Sequence, residues 1–399
     1  DLPLETGESV GSYRVLRPIG RGGMGEVYRA DRADGQFQQR AALKLIHIDS
    51  PSALLRFHRE RQVLASLDHR NIAKVLDGGS TTDGRPYMVM EFVDGQSITR
   101  YAQQHQLNLS QRLALFLQAC EAVAHAHAQL VVHRDLKPAN LLVDAQGQLK
   151  LLDFGIVKLL SESLDPQTVT QAALTPIYAA PEQLAGEHTG TPADVYALGV
   201  LLFELLTGHP PNVGAGSSIT QVIDAVIKHE APLASRSADA RSPIAANQLR
   251  GDLDAILARA LRRDPTARYR SVEALTEDLR AFQEQRPVRA RDGNRAYRLR
   301  RFLQRYAWQS AAVFGVVLSL TAGIVASLNF AAQARDAQQA AEAALQQSRI
   351  NAQRSARRAE ELDSLTQSFV RILGKAYEDV PGAAELRSFL SAEQSATLQ

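Results

Sequence analysis

The chain has 399 residues, of which 45% are hydrophobic and 22% are charged, as is usual for globular proteins of one to three domains. Its 45 Lys and Arg nearly balance 43 Asp and Glu, and a net charge of +2 argues against a nucleic-acid-binding protein or an acidic tail. The only cysteine, Cys120, excludes an intrachain disulfide bond and a CxxC metal site.

Residues 13–92 alternate in the manner of β-strands around a cluster of glycines. YRVLRPIG and GEVYRAD flank this cluster, and RAALKLIHI and PYMVMEFV are two further β-like runs. A helix is predicted over residues 51–66, with Pro51 in its first turn. The N-terminal region is therefore predicted to be rich in strands, with one helix.

From Ser110 onward the pattern becomes helical. Ser110 is predicted to cap RLALFLQACEAVAHAHAQL, while VYALGVLLFELLTG and DLDAILARALRR repeat their apolar residues at the helical period. Polar connectors rich in proline, glycine and serine lie at GHPPNVGAGSS and over residues 230–247.

An apolar stretch follows an arginine-rich one. Eight arginines and one aspartate lie between Arg286 and Arg305, and residues 306–334 carry no charge. The alternative is a buried core helix, but this combination favours a membrane helix over residues 306–330. An excess of Lys and Arg marks the cytoplasmic side, so we expect the N-terminal part in the cytoplasm and residues 331–399 outside. The same arginines also suit anionic lipid headgroups.

Residues 331–399 are predicted to be mostly helical. The seven-residue seam over 331–373 is dominated by alanine and interrupted by polar residues such as Gln338 and Ser348, so it predicts a weak coiled coil at best. A break follows at Pro381-Gly382 and then a short helix. This is too little apolar surface for an independent domain, so the segment is either part of a larger sensor or docks on a partner.

A glycine pattern in the first strands is suited to phosphate binding. IGRGGMGEVYRA contains Gly20, Gly22, Gly25 and Val27 in the spacing GxGxxGxV. Glycines let backbone N–H groups approach a phosphate closely. Alone, the pattern also fits a hairpin without a ligand or a dinucleotide-binding fold, but a strand rather than a helix follows it, which argues against the latter.

Further polar motifs follow in order along the chain. AALK contains Lys44, the predicted helix contains Glu60, and VVHRDLKPANLLV sets three polar residues within a span of six. LDFG and AAPE come next. The residues concerned are Lys44, Glu60, Asp135, Lys137, Asn140, Asp153 and Glu182.

Together these motifs resemble the eukaryotic-like (Hanks-type) protein kinases over roughly residues 13–283. The resemblance implies an α+β, bilobal fold, with an antiparallel-sheet lobe at 13–92, a larger helical lobe at 93–283, and ATP between them. Residues 1–12 then form an N-terminal segment and residues 284–305 an arginine-rich juxtamembrane segment. The order of kinase, span and helix looks most like bacterial transmembrane Ser/Thr kinases of the cytoplasmic membrane.

The resemblance also implies catalytic roles. Asp135 would orient the substrate hydroxyl and accept its proton, and Lys137 would contact the γ-phosphate. Asn140 and Asp153 would hold Mg²⁺, with Mn²⁺ as an alternative, against the ATP phosphates.

Lys44, held by Glu60, would bind the α- and β-phosphates of ATP. Met90 would be the gatekeeper, and Glu91 and Val93 would offer backbone contacts in the hinge. The implied ATP-binding residues are Ile19, Gly20, Gly22, Gly25, Val27, Ala42, Lys44, Met90, Glu91, Val93 and Leu142.

Regulation is implied by Arg134, which precedes Asp135 as in kinases that are controlled by a phosphate in the activation loop. By resemblance, Thr168 and Thr170 are autophosphorylation sites and Thr175 docks the substrate; the alternative is that these threonines are unmodified loop residues. Leu174 departs from the family, which often has Gly there. Arg268 is expected to pair with Glu182 as a buried structural ion pair.

These inferences predict a membrane-anchored kinase that phosphorylates Ser or Thr of cytoplasmic proteins, contacts membrane lipid and binds no nucleic acid. We also expect a homodimer, because autophosphorylation of the loop is often intermolecular. One alternative is a catalytically silent scaffold that binds nucleotide, although such proteins typically lack residues of the Lys44, Asp135 or Asp153 type. Another is a receptor that acts through its outer helical segment.

Overall fold

The computed structural model describes residues 3–22, 25–46, 51–154, 176–187, 189–213, 216–291, 297, 301 and 306–376. The chain divides into two compact units, Asp1–Arg305 and Tyr306–Gln399. Within the first unit, a strand-rich region precedes a helical region, as the sequence patterns predict.

The strand-rich region is a six-stranded antiparallel sheet with the order β1-β2-β3-β4-β6-β5. Its strands are β1 (Ser9–Val10), β2 (Tyr13–Gly22), β3 (Gly25–Arg32), β4 (Arg40–Ile46), β5 (Val75–Ser80) and β6 (Pro86–Glu91). Helix α1 (Pro51–Ala65) lies between β4 and β5 in the chain, close to the predicted bounds.

Strand β4 shows why this sheet has two different faces. Every residue from Ala41 to Ile46 is buried, and side chains alternate between the faces of a strand. Ala41, Leu43 and Leu45 join one apolar cluster, which also includes Leu4 and Val10 from the N-terminal segment. Ala42 and Ile46 join the other cluster, with Phe57 of α1. Lys44 therefore points to the face shared with Ala42 and α1.

The helical region begins with a three-stranded sheet of β7 (Gly95–Ser97), β8 (Leu141–Asp144) and β9 (Leu149–Leu151), in that order. Its helices are α2 (Ile98–Gln104), α3 (Leu109–Ala128), α4 (Pro181–Leu184), α5 (Thr191–Thr207), α6 (Ile219–Lys228), α7 (Ala234–Ser237), α8 (Ala246–Leu249), α9 (Asp252–Ala260) and α10 (Val272–Gln283). Short 3-10 turns span Pro138–Asn140, Pro265–Ala267 and Arg289–Arg291.

Helix α5 forms the centre of this lobe and is buried along almost its whole length. Gly199 permits the close approach of α9, because a Cβ atom there would lie 3.0 Å from the Cβ of Ala260. Leu198, Val200 and Leu202 are fully buried in the same cluster. The apolar run VYALGVLLFELLTG is thus a core helix that is surrounded by protein.

The start of α3 differs from the predicted one. The helix begins at Leu109, and its N-cap is Asn108 rather than Ser110. The Asn108 side chain accepts from the N–H of Gln111 at 3.0 Å, while the Gln111 side chain accepts from the N–H of Asn108 at 2.9 Å. This reciprocal pair satisfies two otherwise unpaired donors, which is why the helix starts one residue after Asn108.

The second unit is described as one helix, α11 (Ala307–Ala376), of 70 residues. Almost all of its described side chains are exposed, including large apolar ones such as Phe314, Leu318 and Ile324. Among the described residues it is the one helix long and apolar enough to cross a membrane, a criterion of length and composition only. The predicted break at Pro381-Gly382 lies outside the described residues.

Candidate active site

A buried carboxylate under the loop of residues 131–140 fixes its backbone. Asp194, near the start of α5, accepts from the N–H of His133 at 2.7 Å and of Arg134 at 2.8 Å. His127 contributes its Nε2 atom at 2.8 Å. Arg134 has φ 63°, a conformation that ordinary residues rarely adopt, so the loop depends on these bonds. Burial alone would raise the pKa of Asp194, but the contacts with His127 and His133 outweigh it and lower the pKa.

His133 links this loop to the segment that contains Asp153. Its Nε2 atom lies 2.9 Å from the carbonyl of Leu152, and its Nδ1 atom accepts from the N–H of Asp135 at 3.3 Å. A carbonyl can only accept and an N–H can only donate, so the imidazole is neutral with its proton on Nε2. Burial lowers the pKa of His133, in agreement with that neutral form.

Asp135, Lys137 and Asn140, in the same loop, form one group of contacting side chains. The Lys137 Nζ atom lies 2.8 Å from Asp135 Oδ2. The side-chain amide of Asn140 donates to the backbone carbonyl of Asp135 at 2.8 Å and to the carboxylate Oδ2 atom of Asp135 at 3.4 Å. The N–H of Leu152 donates to the Asn140 carbonyl at 2.8 Å. Asp135 is thus held from two sides.

Lys44, from the strand-rich lobe, reaches Asp153, which lies in the same helical lobe as Asp135. The Lys44 Nζ atom contacts both carboxylate oxygens of Asp153, across 109 positions of sequence. The Lys44 side chain is 7% exposed and that of Asp153 26% exposed. Asp153 has φ 46°, an unusual conformation that is held by the bonds of the adjacent Leu152. The site therefore combines the Lys44 cation of the strand-rich lobe with two carboxylates of the helical lobe.

The glycine hairpin and the strands beneath it lie next to Lys44. Gly22 and Gly25 are paired across β2 and β3, with residues 23–24 outside the description. Gly25 has φ 129°, and a Cβ atom there would lie 1.9 Å from the Leu45 carbonyl, so only glycine fits. Val27 is paired with Lys44 on the neighbouring strand.

The other predicted ATP-binding residues line adjacent strands. Ala42 is paired with Met90, and both are buried, while Gly20 is paired with Val27. Leu142 lies on β8, half-buried, and Ile19 is exposed. Val27, Ala42 and Met90 therefore lie on one face of three neighbouring strands, the face that Lys44 shares.

The connection between the lobes contains an ion pair that sequence reasoning missed. Lys150 of β9 lies 2.9 Å from the carboxylate of Glu91, at the end of β6. The Glu91 N–H donates to the Lys74 carbonyl at 2.8 Å, and Val93, two positions on, is half-buried. Its place in the sequence, three positions before Asp153, does not distinguish Lys150 from an ordinary strand lysine.

The protein kinase domain family matches residues 13–279. This chain belongs to the protein kinase family. A probable serine/threonine-protein kinase of Streptomyces coelicolor is 36% identical over 288 residues, or 70% of this chain and 41% of its own length. The serine/threonine-protein kinase PrkC of Bacillus subtilis is 36% identical over 278 residues, or 68% and 40%.

The serine/threonine-protein kinase PknB of Mycobacterium tuberculosis is 34% identical over 275 residues, or 67% of this chain and 42% of its own length. The chain thus spans about two fifths of these curated relatives. Among solved structures, the PknI kinase domain of Mycobacterium tuberculosis is 28% identical, with a TM-score of 0.53, over 70% of this chain and 99% of that one. The predicted bilobal kinase fold is therefore confirmed.

Protein kinases use ATP and a divalent metal ion, and the side chains here fit such an ion. The Asn140 amide nitrogen is bound to Asp135, which leaves its oxygen for a cation, and Asp153 offers a carboxylate. Oxygen ligands are those that Mg²⁺ prefers. No group of three His, Cys, Asp or Glu forms a self-contained site among the described residues. Phosphate oxygens and water would therefore have to complete the coordination.

Away from this site, the C-terminal lobe contains a buried ion pair between Arg268 and Glu182. Both terminal nitrogens of Arg268 donate to the Glu182 carboxylate at 2.7 Å. The same guanidinium donates to the carbonyls of Arg262, Arg263 and Pro192 at 2.6, 3.0 and 2.9 Å. It also lies 4.9 Å from the ring of Tyr196. This pair belongs to the packing of the C-terminal lobe.

Several predicted kinase residues lie outside the described part. Residues 155–175 contain Thr168, Thr170 and Thr175, together with Leu174. Glu60 belongs to α1, but its side chain is not among those described. The next described stretch, from Pro176, leads into α4, where Gln183 donates to the Arg134 carbonyl at 3.0 Å. The loop around Asp135 is thereby bonded to the chain that follows the activation loop.

Proposed function

We propose that this chain is a membrane-anchored serine/threonine protein kinase that transfers the γ-phosphoryl group of ATP to hydroxyl groups of cytoplasmic proteins. The observation that carries the proposal is the contact of Lys44 with Asp153, next to Asp135 and Asn140. Charge on a transferring phosphoryl group requires such converging cations and donors. The curated relatives described as serine/threonine kinases support the substrate class.

In the transfer, the substrate oxygen bonds to the γ-phosphorus while the bond from phosphorus to ADP breaks, and the hydroxyl proton passes to Asp135. Lys137 and Asn140 fix the carboxylate that receives it. Lys44 leaves Asp153 for the α- and β-phosphates. A bound Mg²⁺, held by Asn140 and Asp153, would neutralise charge on the phosphate oxygens.

The membrane part of the proposal is supported by α11 and the segment before it. Residues 307–334, at the start of α11, carry no charge, large apolar side chains among them such as Phe314 and Leu318 are exposed, and arginines precede them. The kinase unit then lies in the cytoplasm and the end of α11 outside. Autophosphorylation at Thr168 and Thr170 is part of this proposal because Arg134 directly adjoins Asp135. A homodimer is also part of it, because autophosphorylation of the loop is often intermolecular.

The test is a radiolabel assay on the full chain in detergent with Mg-ATP and a general phosphoacceptor protein. Asp135→Asn and Lys44→Met should each lower turnover by about a thousandfold or more. The matched control is Lys74→Met, since Lys74 pairs with exposed Asp68 at 2.8 Å and should leave turnover unchanged. Unchanged turnover in Asp135→Asn, with a normal melting temperature, would show that the chain is not a kinase of this mechanism.

A further inference from the structure

Beyond the residues matched by the kinase family, the chain continues to pack on the C-terminal lobe. Asp278 of α10 accepts from the N–H groups of Arg289 and Ala290 at 2.7 and 2.8 Å. It also accepts from the Tyr269 hydroxyl at 2.8 Å. Val288 is almost fully buried. The start of the arginine-rich segment is therefore fixed by backbone bonds to a buried carboxylate.

A second buried carboxylate binds the side chains of the same segment. Asp252, the first residue of α9, is 3% exposed. Its Oδ1 atom lies 3.0 Å from Arg291, and its Oδ2 atom accepts from the Tyr297 hydroxyl at 2.8 Å and from Arg301. The Arg291 guanidinium lies over the Tyr297 ring, 4.4 Å from its centre. Three donors thus converge on Asp252.

These contacts connect with each other across the segment. The Tyr297 hydroxyl also accepts from the N–H of Val288 at 3.2 Å, and Tyr297 itself is buried. The set of residues 286–291, Tyr297 and Arg301, here called the juxtamembrane anchor, is therefore attached at two acidic sites, Asp278 and Asp252, and Tyr297 links Asp252 to the backbone of Val288. Removing a partner from such a buried group leaves an uncompensated charge, which is strongly destabilising.

The side chains of Arg286 and Arg289, the other two described arginines of the anchor, form ion pairs on the surface. Arg289 lies 2.8 Å from Glu277, with side chains 65% and 57% exposed, and Arg286 contacts Glu284 on the surface. Exposed pairs of this kind contribute little. Attachment therefore depends on Asp252 and Asp278 and not on a general excess of positive charge.

We propose that the partner of the juxtamembrane anchor is the kinase's own C-terminal lobe, at Asp252 and Asp278, and not an anionic membrane surface. Two of its guanidinium groups are already matched to a carboxylate, and a lipid phosphate would have to displace it. Only residues 302–305 then separate the attached Arg301 from Tyr306, where the second unit begins. Between Arg301 and the first residue of α11, Ala307, the sequence therefore has only residues 302–306 and not the whole arginine-rich stretch.

The test measures tryptic cleavage after Arg291 and Arg301 in the full chain, reconstituted in vesicles of phosphatidylcholine alone or with about a third phosphatidylglycerol. We expect equally slow cleavage in both. Asp252→Asn should raise the initial rate at least about tenfold in both lipids, because the anchor opens more often. Glu277→Gln, which removes only the exposed partner of Arg289, should leave the rate within about twofold.

A second, less disruptive variant keeps the test valid if Asp252→Asn fails to fold. Tyr297→Phe removes one donor to Asp252 and should raise cleavage about threefold, with the melting temperature as a check of folding. Protection that needs phosphatidylglycerol and is unaffected by both substitutions would overturn the proposal, since the lipid would then be the partner. Neither readout requires phosphoryl transfer, so failure here is distinct from failure of the proposed function.

Discussion

The pair Lys44–Asp153 and the pair Arg268–Glu182 use the same kind of contact in opposite surroundings. The Arg268 side chain is fully buried and its guanidinium also donates to three backbone carbonyls. The Asp153 side chain, in contrast, is 26% exposed and opens on the cleft between the lobes. A pair whose every donor is satisfied stabilises the fold, whereas a pair with an open side can exchange its partner for a ligand.

The largest expected effect would separate these two roles. Asp153→Asn should lower turnover about a thousandfold, equivalent to about 4 kcal/mol, because the proposed metal ligand is lost. Its melting temperature should fall by less than about 3 °C, since the pair is partly solvated. Turnover in a γ-³²P-ATP assay and calorimetry of the same sample would check both. Asp68→Asn, at an exposed carboxylate, is the matched control.

At the buried pair Arg268–Glu182 we expect the opposite result, a loss of stability with little loss of turnover. Arg268→Lys keeps the charge but loses the planar fork, so we expect the free energy of unfolding to fall by about 3 kcal/mol. Folded enzyme at low temperature should retain most of its turnover. Arg262→Lys provides the control, because its pair with Glu230 is long, at 3.7 Å, and exposed. If Arg268→Lys lost turnover and kept its stability, the structural assignment would be wrong.

A pH titration would test the framework beneath Asp135. The folded pKa of His133 is lowered by burial, so below about pH 6.5 the unfolded chain binds a proton that the native His133 does not. Stability should therefore fall as pH drops below 6.5, by up to about 1.4 kcal/mol per pH unit, until the folded pKa is reached. Urea unfolding at pH 7.5, 6.5 and 5.5 would measure the slope.

In His133→Gln, the free energy of unfolding should depend less steeply on pH than in the wild type. The comparison is between these two slopes and not between the absolute stabilities. Asp194 does not confuse this window, because its lowered folded pKa matters only in stronger acid. The exposed His229 supplies a control, and His229→Gln should keep the wild-type slope. Equal slopes in wild type and His133→Gln would mean that the imidazole is not held neutral.

The smallest effect concerns the start of α3, far from both ion pairs. Asn108→Ala should lower the free energy of unfolding by about 1 kcal/mol through loss of the N-cap. Ser110→Ala, at the position that the sequence pattern suggested, should change it by less than about 0.5 kcal/mol. Urea unfolding curves of the two variants would measure this difference, and the reverse order would restore Ser110 as the cap.

The three misjudged or missed features share a cause. Asn108 and Ser110 are both good caps, and only the position of Gln111 relative to the first turn chose between them. Lys150 reads as an ordinary strand lysine until β9 is placed beside the end of β6. Likewise, the arginines after α10 read as a loose basic stretch until Asp252 and Asp278 are seen at their docking points.

The sequence by itself determined the family, the order of strands and helices, and the polar residues that belong to the phosphoryl-transfer motifs, because local spacing and periodicity are written in the chain. The apolar, uncharged stretch at the start of α11 could likewise be identified from the sequence alone. Only the tertiary structure decided which carboxylates are buried in ion pairs, such as Glu182, and which are partly exposed, such as Asp153. It also showed that Asp194 supports the loop around Asp135, and that Asp252 binds Arg291 and Arg301. Burial and partner geometry arise from segments that are far apart in sequence, and no local pattern records them.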